Sequence, residues 1–226
     1  MYKFYHILVF FLLIFPFNSY AHIEHYNNLN RIEFDIYRNN KNIGKHIFSF
    51  MRIGEKINVS SEINFQIKKF GVVLYKYNVK GLEVYESGKL IKFTSTTNQN
   101  GKQKYVNLNL ENEEYNIDGS SFKGKVNSDF FIGTWWNHSI VKANAQISAV
   151  SGRIINQKVT FLGKKTIIIN EKSFDTLHFN FSSTDENLSK DKRLNTDVWY
   201  DEKNLNWVKA SFKKKGKWEY RLISIN

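Results

Sequence analysis

Apolar and polar residues alternate with a period of two along most of the chain, and this pattern limits the fold more than any other feature. Residues 56–68 show it most clearly, because polar side chains hold one parity while the other, interrupted only by Ser61, is apolar: Ile57, Val59, Ile63, Phe65 and Ile67. Successive side chains of a strand point to opposite faces of a sheet, so the segment predicts a strand with one apolar and one solvated face. A helix would scatter the same residues around its circumference.

The alternation recurs along the chain, and residues that favour turns lie between its repeats. It is found again in residues 32–36, 73–79, 106–110, 177–181, 208–212 and 218–222. Segments rich in Asn, Gly, Asp and Lys lie between such runs, at residues 39–42, 87–88, 98–101, 118–119, 170–171 and 215–216. Short connections favour sequential antiparallel pairing. We therefore predict an all-β fold of about ten to twelve long antiparallel strands in a curved sheet, forming a barrel or a half-barrel.

Two regions break the rhythm. Residues 128–144 are aromatic without clear alternation and predict at most a short helix, and residues 182–195 are polar and predict a loop. Neither region is expected to be a linker between domains, since strands with the same alternation of apolar and polar residues lie on both sides of it. Residues 22–226 are thus expected to form a single antiparallel β domain.

The amino terminus has the features of an export signal. Lys3 gives a basic start, an apolar run covers residues 7–17, and Ser19 and Ala21 place small residues at the positions that a signal peptidase reads. The run is about eleven residues long, whereas a membrane span needs roughly twenty. Residues 1–21 are therefore predicted to be a signal peptide, and we expect a periplasmic or otherwise exported protein that is not integral to the membrane after cleavage.

The formal net charge is +12, and the chain contains no cysteine. Lysines are dispersed along the polar faces, and only residues 213–217 concentrate them. An AT-rich genome would encode the same Lys- and Asn-rich composition, so we expect no nucleic-acid partner, although a functional role of the charge stays open. Absence of cysteine excludes disulfides and thiolate chemistry.

Motifs of common catalytic sites are missing. The sequence has no phosphate-binding glycine loop, no G-x-S-x-G and no H-E-x-x-H. We assign no catalytic residue, no metal ligand and no cofactor, and we favour a protein that is not an enzyme. His46 and His178 are expected to be exposed on their strands.

Four candidate ligand-binding residues precede or lie in the aromatic region. Glu83 is an acid on the apolar parity of its strand, which indicates either a buried functional group or a bulge beside Gly81 with a lysine partner. Trp135 and Trp136 are adjacent, and two neighbours on a strand cannot both point inward, so one of them is expected at a surface, a cavity mouth or a covering loop. His138 follows them and either forms an acid–base pair or caps an aromatic core segment.

Trp199 and Tyr200 complete the candidate ligand-binding set. Aromatic residues make up 16% of the chain, and wide aromatic side chains line apolar cavities as well as filling cores. Trp199 and Tyr200 either line a ligand mouth or cover the open end of the sheet. Asp201, which follows them, is expected to accept backbone N–H groups in the turn before Leu205.

The Val198-Trp199-Tyr200-Asp201 segment, followed by Trp207-Val208 and a turn at Gly216, resembles the closing hairpin of a family of uncharacterised exported bacterial proteins. The resemblance extends to Gly44, to residues 83–90 and to Trp136. The family is one of unknown function, and its members are similar in architecture to the half-barrels that carry lipoproteins or lipids across the periplasm. The resemblance implies a carrier architecture by analogy of fold.

Three functions are consistent with these features. The leading hypothesis is a non-enzymatic periplasmic binding or carrier protein for a lipid or another amphipathic envelope ligand. The second is an interaction or structural module of the cell envelope that recruits a partner through an edge strand. The third is a hydrolase of envelope glycan or lipid, which needs at least two of Glu83, His138 and Asp201 across one cleft.

Overall fold

The computed structural model describes residues 26, 28–190 and 192–226. The predicted signal peptide, residues 1–21, lies outside the described residues. None of the helical turns in the described part is long and apolar enough to cross a membrane.

The described chain is almost entirely β-structure, as the alternation predicts, but it has fifteen strands, so the expected ten to twelve was too low. In chain order the strands are β1 Arg31–Arg38, β2 Lys41–Ile53, β3 Lys56–Lys69, β4 Val72–Glu86, β5 Lys89–Gln99, β6 Lys102–Glu111, β7 Glu114–Gly119, β8 Lys123–Asn127, β9 Phe131–Ile132, β10 Ala145–Ile147, β11 Ile154–Ile169, β12 Lys172–Ser183, β13 Asn195–Asp201, β14 Trp207–Lys213 and β15 Lys217–Ile225.

All fifteen strands belong to one curved sheet that does not close. Its order is β8-β7-β6-β5-β4-β3-β2-β1-β15-β14-β13-β12-β11-β10-β9. The first and last long strands pair at the centre, and the chain runs outward from them as two antiparallel meanders. Sequential antiparallel pairing is confirmed, except that β1 and β15 are distant in sequence and that β9 and β10 are parallel.

One parity of the strands is buried on the concave face of the sheet and forms the core. In β1, Ile32, Phe34 and Ile36 are fully buried, while the residues between them are partly exposed. Across the sheet, Phe48 of β2, Val59 of β3 and Phe93 of β5 continue the same layer. The side-chain period therefore decides which residues face the core. All six are apolar, which is what the sequence pattern predicts.

Left-handed residues close the two-residue hairpin turns. Asn39 and Asn40 both have positive φ, as do Asn170 and Glu171, which is the type I′ geometry that matches strand twist. Turns predicted at residues 98–101, 170–171 and 215–216 are confirmed. The turn predicted at residues 118–119 is wrong, because Asp118 pairs with Asn107 inside the β7 ladder.

Gly44 allows β2 and β3 to approach closely. A Cβ at this position would lie 2.0 Å from the Asn64 carbonyl oxygen and 2.5 Å from the Phe65 Cα. Any other residue would push the two backbones apart.

Residues 128–153, which we call the inner segment, cover the concave face of the sheet. They contain β9, β10 and a 3₁₀ helix at His138–Lys142, where the sequence predicts at most a short helix. Trp136, Ile140 and Ile147 of this segment are buried against the strands. The Ala149 carbonyl accepts a hydrogen bond from Ser95 of β5 at 2.5 Å. A sheet that leaves its edges unpaired thus has its apolar face covered by its own chain.

His46 lies in this core, so the expectation that it is exposed was wrong. Its ring packs 4.2 Å from the Phe48 ring and edge-on against Trp207 and Tyr220. Neither ring nitrogen has a hydrogen-bond partner among the described residues. Burial lowers the pKa of His46 to about 3.

We predict that His46→Phe reduces the acid sensitivity of folding. Since the folded pKa of His46 is below its unfolded value of 6.5, stability is full above that value and falls as the pH drops towards 3. At about pH 5 the loss is on the order of 2 kcal/mol. Urea unfolding at about pH 7 and about pH 5 measures it, and the His46→Phe protein should lose less stability between them than wild type.

His178→Gln is the matched control. His178 is partly buried on the outer face beside Asp197, where burial lowers its pKa and the Asp197 carboxylate opposes that change. A His46→Phe protein with an unchanged pH slope would contradict the assignment of that slope to His46.

Candidate functional site

Glu83 is the centre of a buried hydrogen-bond cluster on the concave face. Its side chain accepts the Tyr85 hydroxyl at 2.5 Å, the Thr134 hydroxyl at 2.9 Å and the Trp136 Nε1–H at 3.0 Å. Its relative exposure is 2%, and no lysine takes part in the cluster. The sequence allowed two interpretations of Glu83, a buried group or an acid at a bulge with a lysine partner. The structure shows that Glu83 is buried.

Burial raises the pKa of the Glu83 carboxyl, and the three hydrogen bonds oppose that rise. Burial also raises the pKa of the Tyr85 hydroxyl, and the adjacent Glu83 raises it further, so this hydroxyl stays a donor. Thr134 and Trp136 belong to the inner segment, whereas Glu83 and Tyr85 belong to β4. The cluster therefore fastens the inner segment to the sheet.

Trp135 and Trp136 both reach the interior because their segment is not a strand. Trp135 has φ of 60°, a left-handed conformation that is unusual for a bulky residue. It packs edge-on against Trp207 at 5.8 Å, while Trp136 is fully buried against Phe50 at 5.2 Å. The alternation rule that separates neighbours on a strand does not apply here.

His138 and Tyr200 meet on the same side of the inner segment. The His138 ring lies edge-on to the Tyr200 ring at 4.8 Å, and its backbone N–H donates to the Tyr26 hydroxyl at 2.9 Å. The Tyr200 hydroxyl donates to the Trp135 carbonyl at 3.0 Å. These contacts place both residues in the packed interior rather than at an opening.

Trp199 is separated from the other candidates because it lies on the outer face of the sheet. It stacks on His178 with ring centroids 4.2 Å apart, and Lys209 lies 5.1 Å above it. Asp201 shares that parity, and its carboxylate accepts the backbone N–H of Lys203 and Asn204, which confirms its predicted role in the turn. Glu83 and Asp201 therefore lie on opposite faces of the sheet and do not form a carboxylate pair.

Sequence analysis missed a second aromatic group, which we call the aromatic mouth. It lies on the concave face at one end of β3, β4, β14 and β15 and consists of the buried Phe65 and four partly buried side chains: Tyr75, Tyr77, Phe212 and Trp218. The alternation pattern predicts that these residues face the core. It does not tell whether a residue lies near the end of its strand or in the middle, so the group could not be recognised from the sequence.

Rings of the aromatic mouth are stacked in a ladder. Phe65 lies 4.8 Å from Tyr77 and 6.1 Å from Tyr75 with nearly parallel planes, and Trp218 meets Phe65 edge-on at 5.3 Å. Trp218 also stacks with Phe212 at an interplanar angle of 7°. Flat ring faces of this kind bind acyl chains or ring systems by contact area.

Cationic groups border the mouth. The Arg38 guanidinium lies 5.8 Å from the Trp218 ring centroid, and the Trp218 Nε1–H donates to the Lys214 carbonyl at 2.9 Å. The neighbouring β14–β15 turn carries Lys213, Lys214 and Lys215 without an acid. An apolar surface with a cationic border suits an amphipathic molecule with an anionic head.

Comparison with known proteins gives a family and a fold. Residues 34–223 match the family model described as a domain of unknown function, DUF6134. The structure is similar to the crystal structure of a beta-barrel-like protein of the domain of unknown function DUF1849 from Brucella abortus, with a TM-score of 0.60 and 8% sequence identity over 88% of this chain and 98% of that chain. No curated protein matches the chain.

We predict that Glu83→Gln stabilises the protein at neutral pH. The raised pKa means that folding opposes ionisation of Glu83, so its carboxyl lowers stability as the pH rises above the unfolded value of 4.5. The amide keeps an acceptor for Thr134 and Trp136 without that cost. Relative to wild type, Glu83→Gln should be more stable at about pH 7, and this gain should disappear below about pH 4.

Glu83→Ala is the contrasting variant. It leaves the three donors without their acceptor and should cost about 3 kcal/mol below about pH 4. The cost should be smaller at about pH 7, because wild type itself loses stability as Glu83 ionises. Chemical denaturation of both variants measures the effect. If Glu83→Gln were as damaging as Glu83→Ala, the charge itself would be required and the cluster would not be a neutral fastening.

Proposed function

The chain belongs to the DUF6134 family, and from its geometry we propose that it is an exported, non-enzymatic binding or carrier protein for a lipid or another amphipathic molecule of the cell envelope. The observation that carries the proposal is the aromatic mouth with its cationic border. The predicted signal peptide supports the proposed periplasmic or exported location.

The proposed binding surface is the aromatic mouth rather than the interior. Glu83, Trp136, His138 and Tyr200 are buried in contact with one another or with the strands, so they support the fold beneath the ligand. At the mouth, Tyr75, Tyr77 and Trp218 keep part of their surface accessible. An acyl chain or ring system would extend the existing ladder, and its anionic head would meet Arg38 and Lys214.

Partly exposed aromatic rings at the mouth favour this function over a purely structural one. A sheet that needed only a core would gain most by burying these rings completely, as it does with Trp136 and Trp207. Ring faces left partly in water lose that gain unless a partner covers them.

A second candidate function is recruitment of a protein partner through the edge of β11. Within the described residues, β11 pairs with β12 along one side, but its other side is paired only by β10 at Ile154–Asn156, so residues 158–169 have no strand on that side. Phe161, Leu162 and Ile168 are exposed along it. A register shift at Gly163 and the nearby lysines weaken this edge as a template, which is why we place it second.

We predict that Trp218→Leu weakens lipid binding about tenfold, because it removes the ring that joins the two halves of the ladder. Native mass spectrometry with lysophosphatidylglycerol measures the affinity. Trp199→Leu is the matched control, since it makes the same change on the outer face and should leave binding unaltered.

Two results would reject the proposal. Protein purified gently from the envelope could carry no ligand and bind no lysophosphatidylglycerol, or the two tryptophan variants could lose binding equally. In-cell cross-linking from Phe161→Cys that returns one protein neighbour would instead favour the edge-strand function.

A further inference from the structure

The hairpin of β3 and β4 projects beyond both of its neighbours in the sheet. Pairing of β2 with β3 ends at Gly44–Phe65, and pairing of β5 with β4 ends at Gln99–Tyr77. Residues 66–76, which we call the projecting hairpin, pair with each other, and Asn100 is held at their base. At about 3.3 Å per residue the hairpin extends about 15 Å past the last pairs that it forms with β2 and β5.

Apolar side chains are exposed at the end of the projecting hairpin. Phe70 has a relative exposure of 93%, and the others continue from it along β4: Val72, Val73 and Leu74. They are consecutive apart from the turn residue Gly71. Because successive strand residues point to opposite faces, they make both faces of the tip apolar on a part of the chain that has no core of its own. A contiguous apolar patch of this kind marks a surface that binds something.

Phe70 also occupies a strained turn position. Its φ is 51° and that of Gly71 is 80°, the type I′ arrangement that favours Asn, Asp or Gly. Asn39, Asn100 and Asn170 hold the equivalent first position in other hairpins of this sheet. A bulky apolar residue at this position strains the backbone and exposes a large apolar side chain to water. The requirements of the turn itself do not explain why phenylalanine is present here.

Lysines surround the base of the patch, and no carboxylate lies nearby in sequence. Lys68, Lys69 and Lys76 belong to the hairpin itself, and the Lys69 ammonium lies 5.5 Å from the Phe70 ring centroid. Turns of the adjacent hairpins contribute Lys41 and Lys102. Residues 38–54, 63–82 and 87–110 contain neither Asp nor Glu.

Sequential antiparallel topology brings these lysines to one end of the sheet. Alternate turns lie at opposite ends of a meander, so the β1–β2, β3–β4, β5–β6 and β14–β15 turns share one end. The β6–β7 turn, at the other end, carries Glu111, Glu113 and Glu114. These four turns are therefore cationic, whereas the last residues of β7 and the β12–β13 connection, at the same end, carry Asp118, Asp185 and Glu186.

We propose that the projecting hairpin docks the protein on an anionic membrane surface, with the apolar tip in the interfacial layer and the lysines among the lipid head groups. An apolar tip within a cationic collar matches both layers of such a surface. The hairpin is long enough for its tip to reach the 5–10 Å depth at which peripheral proteins bury apolar side chains. A soluble polyanion would leave Phe70 and Leu74 unused.

A depression beside the hairpin suits a lipid head group. It has a volume of about 670 Å³ and lies along β2 and β3, where its lining includes Lys41, Lys45, Lys68 and Asn64, together with one carboxylate, Glu62. Lysine ammonium groups and an amide are the donors that a phosphate accepts from. If the tip of the projecting hairpin entered a membrane, this depression would lie beside the membrane surface.

The sequence contains no cysteine, so a single introduced cysteine can be labelled at one chosen position. Phe70→Cys, labelled with an environment-sensitive dye, is mixed with vesicles of phosphatidylethanolamine and phosphatidylglycerol. The control is Ile168→Cys, whose parent side chain is 76% exposed beside the β11–β12 turn at the opposite end. Produced in an exporting host, both proteins are measured in their processed form.

The Phe70 dye should become shielded from water and quenched by spin-labelled acyl chains, while the Ile168 dye should not. In vesicle co-sedimentation, Phe70→Ser should weaken binding about tenfold, and Lys68→Gln and Lys69→Gln about fivefold each. Lys172→Gln, beside the opposite turn, should have no effect. Phosphatidylcholine vesicles should bind much more weakly.

Several outcomes would overturn the proposal. The protein could fail to bind vesicles, the two dyes could respond equally, or binding could be independent of the lipid charge. A change of oligomeric state in Phe70→Ser with vesicle binding intact would instead identify a second copy of the chain as the occupant. Docking and ligand binding are separable, because Trp218→Leu alters the mouth and Phe70→Ser alters only the tip. Each proposal can therefore fail without the other.

Discussion

The structure depends on covering the concave apolar face of a sheet that does not close. A barrel would satisfy its edges by pairing them, but here β8 and β9 remain the two ends of the strand order. The inner segment replaces that closure by filling the curved sheet with Trp136, Ile140 and Ile147. Glu83 fastens this filling to β4 through two donors of the inner segment. Because the carboxyl is buried, it is more useful there as an acceptor than as a charge.

Covering the face from within divides the aromatic residues into two populations. Those beneath the inner segment, such as Trp207 and Tyr200, are fully buried and serve stability. Those beyond its reach, at the end of β3 and β4, keep ring faces partly in water and form the aromatic mouth. The same side-chain types therefore have different physical roles according to whether the inner segment reaches them. This division, and not the aromatic content as such, supports a ligand surface at one end.

The same end of the sheet combines the mouth, the cationic turns and the projecting hairpin. Their coincidence follows from two antiparallel meanders that start from the paired strands β1 and β15, since every second turn must fall at the same end. A ligand at the mouth and a membrane at the hairpin tip would then be close neighbours. Gly44 contributes to this arrangement, because the close approach of β2 and β3 lies where β3 begins to project. The topology thus places these three features at one end of the molecule.

Sequence alone determined what depends on neighbours along the chain. The two-residue period specified the strands and their buried parity, from Ile32 to Leu222, and turn formers specified several of the hairpins, because both are local properties. Glu83 was correctly singled out as an acid on an apolar parity, and Asp201 as a turn acceptor. What binds Glu83 was not predictable, since Thr134 and Trp136 are about fifty residues away and approach only when the inner segment folds back. Tertiary structure likewise decided that His46 is buried, that Trp199 faces outward while Tyr200 faces inward, and that the lysines of four separate turns lie at one end. Each of these depends on which strands become neighbours, and the hydrophobic period along a single strand does not contain that information.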